Sequence, residues 1–318
     1  MRFATFLHGG ERRSGVVVDD KIHPFRDPSQ VPLELLELIK TGEEALRTAA
    51  EAASAGSAPL PLADVRLLPP LRPPTVRDFV TFERHVEGMA RGHGDTVPQE
   101  WYAAPTFYFT NPYAVIGAHD DVPVPPGCAR FDFELEVAAV IGRSGRDLTP
   151  ERAREHILGY TILNDWSARD LQGREMRVGL GPAKGKDSAT TLGPWLVTAD
   201  ELEAHRTPDG FLDLRLTVEV NGETVGQDSL ANMSWTFEEM TAYASRGTWI
   251  HPGDVLGSGT CGNGGCLAEL WGRDVVPEPP PLTPGDTVTM TVQGIGSVSN
   301  RVVEGVAPVP VPRARLRR

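Results

Sequence analysis

Cysteine is scarce in this chain, whose 318 residues include only Cys128, Cys261 and Cys266. An odd number of cysteines without a C-x-x-C pair argues against a disulfide framework and against a cysteine-based zinc site. This usage is typical of a reducing compartment, so we expect the protein to be cytoplasmic.

Positive charge and long apolar runs are also in short supply. The chain has 31 Lys and Arg against 43 Asp and Glu, and its one basic run is the tail Arg313–Arg318. A nucleic-acid surface needs a basic patch, so we expect no nucleic-acid partner. No apolar segment is long enough to cross a bilayer, and the first residues lack the apolar region of a signal peptide. We therefore expect no membrane association.

Prolines mark a boundary in the chain. Consecutive prolines in Leu67–Pro74 fix φ and exclude a helix, so this stretch is expected to be extended. We predict a small N-terminal α+β domain over 1–70, a large domain over 71–306 and a flexible Pro/Arg-rich tail over 307–318. The large domain has many short strand patterns and a strong hairpin signal at Asn221-Gly222, so we predict a β-dominated α+β fold.

An acidic strand is predicted over Phe131–Gly142. Side chains alternate across a strand, so Asp132, Glu134 and Glu136 share one face, opposite a row of apolar residues. Buried carboxylates repel one another, and a divalent cation relieves the repulsion because hard cations bind clusters of carboxylate oxygens. An edge strand with its acidic face in water fits the same pattern. The strand by itself leaves both interpretations open.

Further polar segments follow this strand. Ser167 is expected to cap a short helix that carries Arg169 and Gln172. A glycine-rich turn over 181–187 carries two lysines, and a later strand is predicted over Cys266–Trp271. The Gly- and polar-rich stretch 90–100 is predicted to be a mobile loop.

Three motifs occur in an order that indicates a known family: Glu134-Leu135-Glu136, Asn164–Asp170 and Gly185-Lys186. The chain resembles the fumarylacetoacetate hydrolase family over about residues 72–305. That resemblance implies a mixed β-sandwich roll with a small N-terminal β-rich domain, normally in a homodimer. It makes 71–306 a metal-binding catalytic domain with one divalent ion per subunit, Mg²⁺ or else Ca²⁺ or Mn²⁺.

The resemblance also implies roles for single residues. The expected metal ligands are Asp78, Glu134, Glu136 and Asp165. In the carbon–carbon hydrolases of the family a histidine base follows the first ligand by seven residues, which His85 matches, and a glutamate that orients it is matched by Glu269. The remaining expected catalytic residues are Arg169, Gln172 and Lys186, and the expected substrate contacts are Thr260, Tyr108, Val80 and Met176.

Two of these positions depart from the family pattern. Val80 and Met176 stand where fumarylacetoacetate hydrolases proper have tyrosines. The pocket for the far end of the substrate is therefore expected to be more apolar, or to recognise a different group. Asp132 is not a ligand in the family, so we expect it beside the ligands or in solvent.

The function predicted from these residues is metal-dependent hydrolysis of a carbon–carbon bond in a β-diketo acid, such as fumarylacetoacetate or an acylpyruvate. His85 and Glu269 would activate water, and the metal would stabilise the enolate that leaves. Decarboxylation or keto–enol isomerisation of a related 2-keto acid on the same metal site is an alternative, as is a non-catalytic metabolite-binding protein. The loop around 85–101 is expected to close over the substrate.

Overall fold

The structure is a computed structural model that describes residues 1–25, 34–56, 58–92, 94–273 and 278–316. Within these residues the α-helices are α1 (Leu35–Lys40), α2 (Glu43–Gly56), α3 (Glu83–Arg91), α4 (Pro150–Ala153), α5 (Arg169–Met176), α6 (Phe237–Ala244) and α7 (Leu267–Gly272). The strands before the central one are β1 (Arg2–His8), β2 (Glu11–Val18), β3 (Lys21–Pro24), β4 (Leu60–Pro61), β5 (Arg66–Leu68), β6 (Val76–Phe79), β7 (Phe107–Thr110), β8 (Val115–Ile116), β9 (Val122–Pro123) and β10 (Phe131–Asp132). The strands that follow are β11 (Leu135–Ile141), β12 (Gly145–Arg146), β13 (Ile157–Asp165), β14 (Ser167–Ala168), β15 (Thr190–Thr198), β16 (Arg215–Val220), β17 (Glu223–Ser229), β18 (Trp249–Ile250), β19 (Val255–Gly257), β20 (Thr287–Val292) and β21 (Gly296–Val303).

One large mixed sheet organises the described part of the chain, with the strand order β4-β3-β2-β1-β15-β13-β11-β19-β6-β7. Strand β11 lies in its middle, paired antiparallel with β13 on one side and with β19 on the other. The N-terminal strands extend the same sheet, because β1 pairs with β15. A second sheet, in the order β17-β16-β20-β21-β9, packs on it.

The core follows from the alternation of side chains along β11. Val137, Ala139 and Ile141 belong to the apolar cluster that includes the second sheet. Ala138 and Val140 belong to another cluster, which includes the buried faces of α1 and α2. Strand β11 is therefore covered on both faces. This sheet-rich α+β architecture with a β-rich N-terminal domain is the predicted fold class.

The predicted hairpin is confirmed. Asn221 and Gly222, both at positive φ, connect β16 and β17 as the hairpin signal requires. Residues 307–316 are exposed and have no helix or strand, whereas 317–318 lie outside the described residues.

Three local predictions are wrong. Cys266–Trp271 is not a strand, because α7 occupies it, and its first amides are held by an acid from β10. Ser167 does not cap α5, since its hydroxyl donates to the Asp165 carbonyl instead. Part of the predicted loop 90–100 is helical, because α3 continues to Arg91 and a 3₁₀ turn begins at Gln99. Residue 93 of that loop lies outside the described residues.

Among the described residues, no helix is both long and apolar enough to span a bilayer.

Candidate metal and substrate site

The acidic segment is buried, but it forms two strands, β10 and β11, with Phe133 and Glu134 between them, and not the single strand that was predicted. Asp132, Glu134 and Glu136 are 0%, 5% and 1% exposed. The interpretation of an edge strand with its acids in water is therefore wrong. The acids are stabilised by two protein cations and by neighbouring backbone amides, as well as by their grouping with other carboxylates.

Neighbouring strands place the other expected ligands beside this face. Asp78 in β6 is in register with Gly257 in β19, which lies next to β11. Asp165 ends β13, where it pairs with Thr190 of β15. The sheet thus gathers four carboxylates that are far apart in the chain at one end of its central strands.

The carboxylate oxygens lie close enough together for one cation. One oxygen from each of Asp78, Glu134 and Asp165 lies within 4.8 Å of the others. Glu136 and Asp78 both lie against Gly257. A Cβ atom added to this glycine would lie 2.6 Å from Asp78 Oδ1 and 2.9 Å from Glu136 Oε2. Glycine at this position leaves the space that the two carboxylates occupy.

Two buried oxygens in this group need a partner. Within the described residues, Asp78 Oδ1 and Asp165 Oδ1 accept no hydrogen bond. A buried carboxylate oxygen without a partner is costly, and a hard divalent cation prefers oxygens of this kind. The donor set therefore fits a divalent ion held by Asp78, Glu134, Glu136 and Asp165.

The pKa values of the four acids separate into two groups. Burial raises the pKa of Asp78 and Glu136 well above the ordinary range. The charge of Asp165 raises the pKa of Asp78 further, and Asp78 raises the pKa of Glu136. Burial also raises the pKa of Asp165. In contrast, Lys186 and Arg169 outweigh burial at Glu134 and lower its pKa. Ionisation of Asp78, Glu136 and Asp165 is therefore unfavourable unless a cation binds.

Lys186 is the nearest cation to the cluster. It is 4% exposed, and its Nζ donates to Glu134 and, at 2.6 Å, to Asp165 Oδ2. Burial would lower the pKa of this lysine, but Asp165 and Glu134 more than compensate and raise it, so Lys186 stays an ammonium. Tyr108, opposite Asp78 in register, donates to Asp165 and lies 3.2 Å from Asp78 Oδ2.

Arg169 connects the acidic strand to helix α7. Its Nη1 lies 2.7 Å from Glu134 Oε1, and its Nε donates to Asp132 Oδ2 at 2.8 Å. At the start of α7, the Leu267 amide donates to Asp132 Oδ1 at 2.9 Å and the Ala268 amide donates to Oδ2 at 3.0 Å. Asp132 is therefore buried and not in solvent, and its hydrogen bonds position both Arg169 and the helix that carries Glu269.

His85 and Glu269 lie close to each other and near Glu134. His85 in α3 is 6% exposed, and its Nδ1 lies 3.9 Å from Glu269 Oε2. A Cβ at Gly88 would lie 2.4 Å from Glu269 Cγ, so the glycine in α3 permits this approach. Ring, carboxylate and thiol atoms of His85, Glu134 and Cys266 all lie within 4.8 Å of one another. The histidine is thus adjacent to the carboxylate cluster.

Two cavities border the site. One of about 360 Å³ is lined by Tyr108, Thr110 and Lys186, among others. The other, of about 740 Å³, is lined by Arg169, Gln172 and Met176 together with residues of α3 and α7. Lys186 lines the smaller cavity and Arg169 lines the larger one, and both contact Glu134.

The two positions that depart from the family pattern are in different places. Met176 lines the larger cavity and is 53% exposed. Val80 is not among the residues that line the larger cavity. Its carbonyl accepts a hydrogen bond from the Trp101 indole N–H, and its backbone lies close to Gly259, where an added Cβ atom would be 2.8 Å from the Val80 Cα. Thr260 is also buried, and its hydroxyl lies 3.5 Å from Glu136 Oε1.

Sequence reasoning missed the roles of Asp132 and Cys266. Asp132 shares the face of the two strand ligands, which was a signal that it belongs to the same polar network. Cys266 accepts the Glu269 amide at 3.3 Å and lies 3.8 Å from His85 Nδ1. No spacing pattern in the sequence indicates that contact, since 181 residues separate the two side chains.

Comparisons with known proteins cover both parts of the chain. Residues 75–303 match the family model for the fumarylacetoacetate hydrolase C-terminal domain, and 1–70 match an Rv2993c-like N-terminal model. A mitochondrial oxaloacetate tautomerase of Xenopus laevis is 30% identical over 282 residues, which cover 87% of this chain and 80% of the relative.

Solved structures are similar over nearly the whole chain. A maleylpyruvate hydrolase from Sphingobium sp. SYK-6, in complex with manganese(II) and pyruvate, has a TM-score of 0.71 and 26% identity, covering 96% of this chain and 100% of that one. The fumarylacetoacetate hydrolase of Exiguobacterium antarcticum has a TM-score of 0.74 and 29% identity, covering 96% and 99%.

Proposed function

The chain belongs to the fumarylacetoacetate hydrolase family, and we propose that it hydrolyses a carbon–carbon bond in a β-diketo acid of the acylpyruvate type. The observation that carries the proposal is the buried pair of His85 and Glu269 beside the carboxylate cluster. A histidine oriented by a carboxylate is suited to water activation. Relatives of this chain include enzymes named as hydrolases, tautomerases and isomerases.

Asp78, Glu134, Glu136 and Asp165 would hold the divalent cation, for which we propose Mg²⁺ with Mn²⁺ or Ca²⁺ as substitutes. When bound, the cation supplies Lewis-acid polarisation of the two substrate carbonyl oxygens. Lys186 is already charged and lies between Glu134 and Asp165. An ammonium has three N–H donors, so Lys186 can give one to a substrate oxygen while it keeps both carboxylates.

His85 would take a proton from water, and the water oxygen would form a bond to the carbonyl carbon. The carbon–carbon bond then breaks, its electron pair moves onto the leaving fragment, and the imidazolium returns the proton there. Glu269 stabilises the imidazolium from 3.9 Å, a separation that can shorten when substrate binds. Arg169 and Gln172, which line the larger cavity, would donate hydrogen bonds to the developing oxyanion.

The test is turnover of acetylpyruvate by the Mn²⁺-loaded protein, followed by loss of the diketone ultraviolet band. We expect His85→Ala to lower kcat by about 10²–10⁴-fold, the usual contribution of a general base, with Mn²⁺ affinity unchanged. Glu87→Gln, on the exposed face of the same helix, is the matched control and should keep full activity. Near-normal turnover by His85→Ala would exclude the hydrolytic mechanism.

Keto–enol tautomerisation of an oxaloacetate-like acid is the second candidate. It is favoured by the tautomerase relatives and by Lys186, a buried ammonium in contact with two acids. Tautomerisation moves a proton but needs no activated water. If the protein consumes the oxaloacetate enol and leaves acetylpyruvate intact, tautomerisation replaces hydrolysis as its function.

We also propose a homodimer. Large apolar side chains are exposed at Phe109, Tyr113, Val178 and Leu180, which are 65%, 97%, 71% and 88% exposed. Exposed apolar groups of this size are typical of protein–protein contacts. Light scattering of the purified protein tests the proposal, and a monomer mass at micromolar concentration would contradict it.

A further inference from the structure

A second group of donor atoms lies beside the carboxylate cluster and differs from it in chemistry. One donor atom from each of His85, Cys266 and Glu134 lies within 4.8 Å of the other two. All three residues are buried, at 6%, 0% and 5% exposure. Glu134 is also an expected ligand of the hard cation, whereas the imidazole and the thiol are donors that the carboxylate cluster does not use.

The histidine and the cysteine are spaced like two ligands of one small ion. Nδ1 of His85 lies 3.8 Å from Sγ of Cys266. In a tetrahedral site zinc binds sulfur at about 2.3 Å and imidazole nitrogen at about 2.0–2.1 Å, which places the two ligand atoms about 3.6 Å apart. A small shift of either side chain would therefore let both atoms coordinate one zinc ion.

The fold holds the sulfur atom in this position. Cys266 precedes helix α7, and its Sγ accepts the Glu269 amide at 3.3 Å. Helix α3, which carries His85, packs closely against α7, since a Cβ atom added to Gly272 would lie 2.1 Å from the Gly88 carbonyl oxygen. An N–H group that donates to sulfur stabilises the thiolate form, so this hydrogen bond can remain when an ion replaces the thiol proton.

The donor types of the two groups favour different ions. Carboxylate oxygens suit Mg²⁺, Ca²⁺ and Mn²⁺, whereas thiolate and imidazole ligands suit Zn²⁺. A site with one sulfur, one nitrogen and one carboxylate ligand is a combination that zinc accepts, with water at the remaining tetrahedral position. The protein therefore has donors for a soft ion directly beside those for a hard one.

We propose that His85, Cys266 and Glu134 form an inhibitory zinc site. The ion replaces the thiol proton, which passes to solvent, and no other covalent bond changes. A neutral imidazole has one basic nitrogen, and coordination would occupy it, so His85 could no longer take a proton from water. Zinc binding goes beyond the proposed function and does not depend on it, whereas the loss of turnover rests on His85 as the base.

Cadmium is a probe for sulfur ligation, because a cadmium–thiolate bond gives an ultraviolet charge-transfer band that oxygen and nitrogen ligands do not give. The Mn²⁺-loaded protein would be titrated with Cd²⁺, and we expect the band to appear. Cys266→Ser should abolish the band and leave Mn²⁺ affinity unchanged, since serine keeps an acceptor for the Glu269 amide. His85→Ala should weaken Cd²⁺ binding at least about tenfold, because even residues that only support a metal ligand contribute that much.

The other two cysteines provide matched controls. Cys261 is also buried but lies outside this donor group, and Cys128 is half-buried. The band should persist in both Cys261→Ser and Cys128→Ser. Thermal unfolding of each variant shows whether it is folded.

Inhibition is measured separately, as acetylpyruvate turnover by the Mn²⁺-loaded protein at increasing Zn²⁺ concentration. We expect Zn²⁺ to inhibit the parent protein. In Cys266→Ser the concentration for half-inhibition, relative to that variant's own uninhibited rate, should rise at least about tenfold because one ligand is lost.

The outcomes separate the two proposals. No band in the parent protein, or a band that survives Cys266→Ser, overturns the zinc site and leaves the proposed function standing. A band that depends on Cys266, without inhibition by Zn²⁺, supports the site and contradicts the role of His85 as the base. If acetylpyruvate is not turned over at all, the proposed function fails and the cadmium band still decides whether the site exists.

Discussion

The two ends of the site are built in opposite ways. The carboxylate cluster is buried and lies on or beside strands. Burial raises the pKa of two of its acids, Asp78 and Glu136. The arginine-lined cavity is open, and its charged groups come from α5, from the residues before β10 and from the segment after α7. One end is a cluster of acids that fits a cation, and the other, the larger cavity, is lined by three arginines and one acid.

This difference separates two tasks of a catalytic site. Strands in register fix oxygens to within a few tenths of an ångström, as a metal site requires. Helix ends and loops tolerate substitution, so the group that they recognise can change while the metal site is kept. The comparison predicts that changes in the cluster affect metal binding and stability together, whereas changes in the cavity affect substrate preference alone.

The largest expected effect is on the cluster. Glu136→Gln removes a charge but keeps the shape, and we expect Mn²⁺ affinity to fall at least about 100-fold, since even changes that support metal ligands cost up to this much. The metal-free variant should unfold at a higher temperature than the parent near pH 7, because it no longer has a buried carboxyl group whose ionisation is opposed by burial and by Asp78. Titration calorimetry and thermal unfolding measure the two effects.

This prediction is specific because Mn²⁺ affinity should fall while the unfolding temperature of the metal-free protein should rise. A general packing defect would lower both metal affinity and the unfolding temperature. Unchanged Mn²⁺ affinity in Glu136→Gln would show that three carboxylates hold the ion and that Glu136 is not a ligand.

Asp132→Asn should have the next largest effect. It weakens a buried pair with Arg169 and the anchor of α7, so we expect a loss of about 3 kcal/mol in the free energy of unfolding, typical of a broken buried pair. Turnover should fall at least about tenfold, because the groups that Asp132 positions include Arg169 and Glu269. Urea unfolding and kcat are the measurements.

An exposed ion pair is the control. Glu155→Gln removes the partner of Arg143, and at 74% exposure this acid should contribute less than about 1 kcal/mol. If Asp132→Asn were as mild as Glu155→Gln, the connection between the acidic strand and α7 would be unimportant.

Much of the carboxylate cluster was predictable because its signals are local. The Glu134-Leu135-Glu136 motif follows strand alternation, and the segment with Asp165 follows an apolar strand. Asp78 was expected only from the family resemblance, in which a histidine follows this ligand by seven residues, as His85 does. What the sequence could not provide was the register that places Asp78 beside Gly257, since β6 and β19 are far apart in the chain.

The arginine-lined cavity was harder to predict. Cys266–Trp271 is a short apolar run, and such runs do not distinguish helix from strand by periodicity. The start of α7 is fixed by Asp132, 135 residues earlier, so its helical state depends on a tertiary contact. Arg130 and Trp271 meet only once that helix is in place. The expectation of a more apolar pocket, or of a different recognised group, came instead from Val80 and Met176, which stand where the family pattern has tyrosines.

The pH dependence of metal stabilisation should be a moderate effect. Asp78, Glu136 and Asp165 have raised pKa values in the folded protein without metal. Their contribution to stability is present below their ordinary pKa of about 4 and is lost as the pH rises through the raised values. Glu134 has the opposite shift, so its contribution is lost only in acid.

The Mn²⁺-loaded protein should not show this loss, because the ion stabilises the ionised acids. The difference in unfolding temperature between loaded and metal-free protein should therefore widen from pH 5 to pH 8. A constant difference would contradict the raised pKa values. In Glu136→Gln the widening should be smaller, which serves as the internal control.

The smallest effect is expected in the larger cavity. Met176 is 53% exposed, so Met176→Ala should change the free energy of unfolding by no more than about 0.5 kcal/mol, as surface substitutions usually do. Mn²⁺ affinity should not change, whereas the KM for the substrate should rise a few-fold because apolar contact with its carbon chain is lost. A fall in unfolding temperature or in metal affinity comparable with that of Asp132→Asn would mean that the two ends are not independent, and that helix α5 transmits changes in the cavity to Arg169 and the carboxylates.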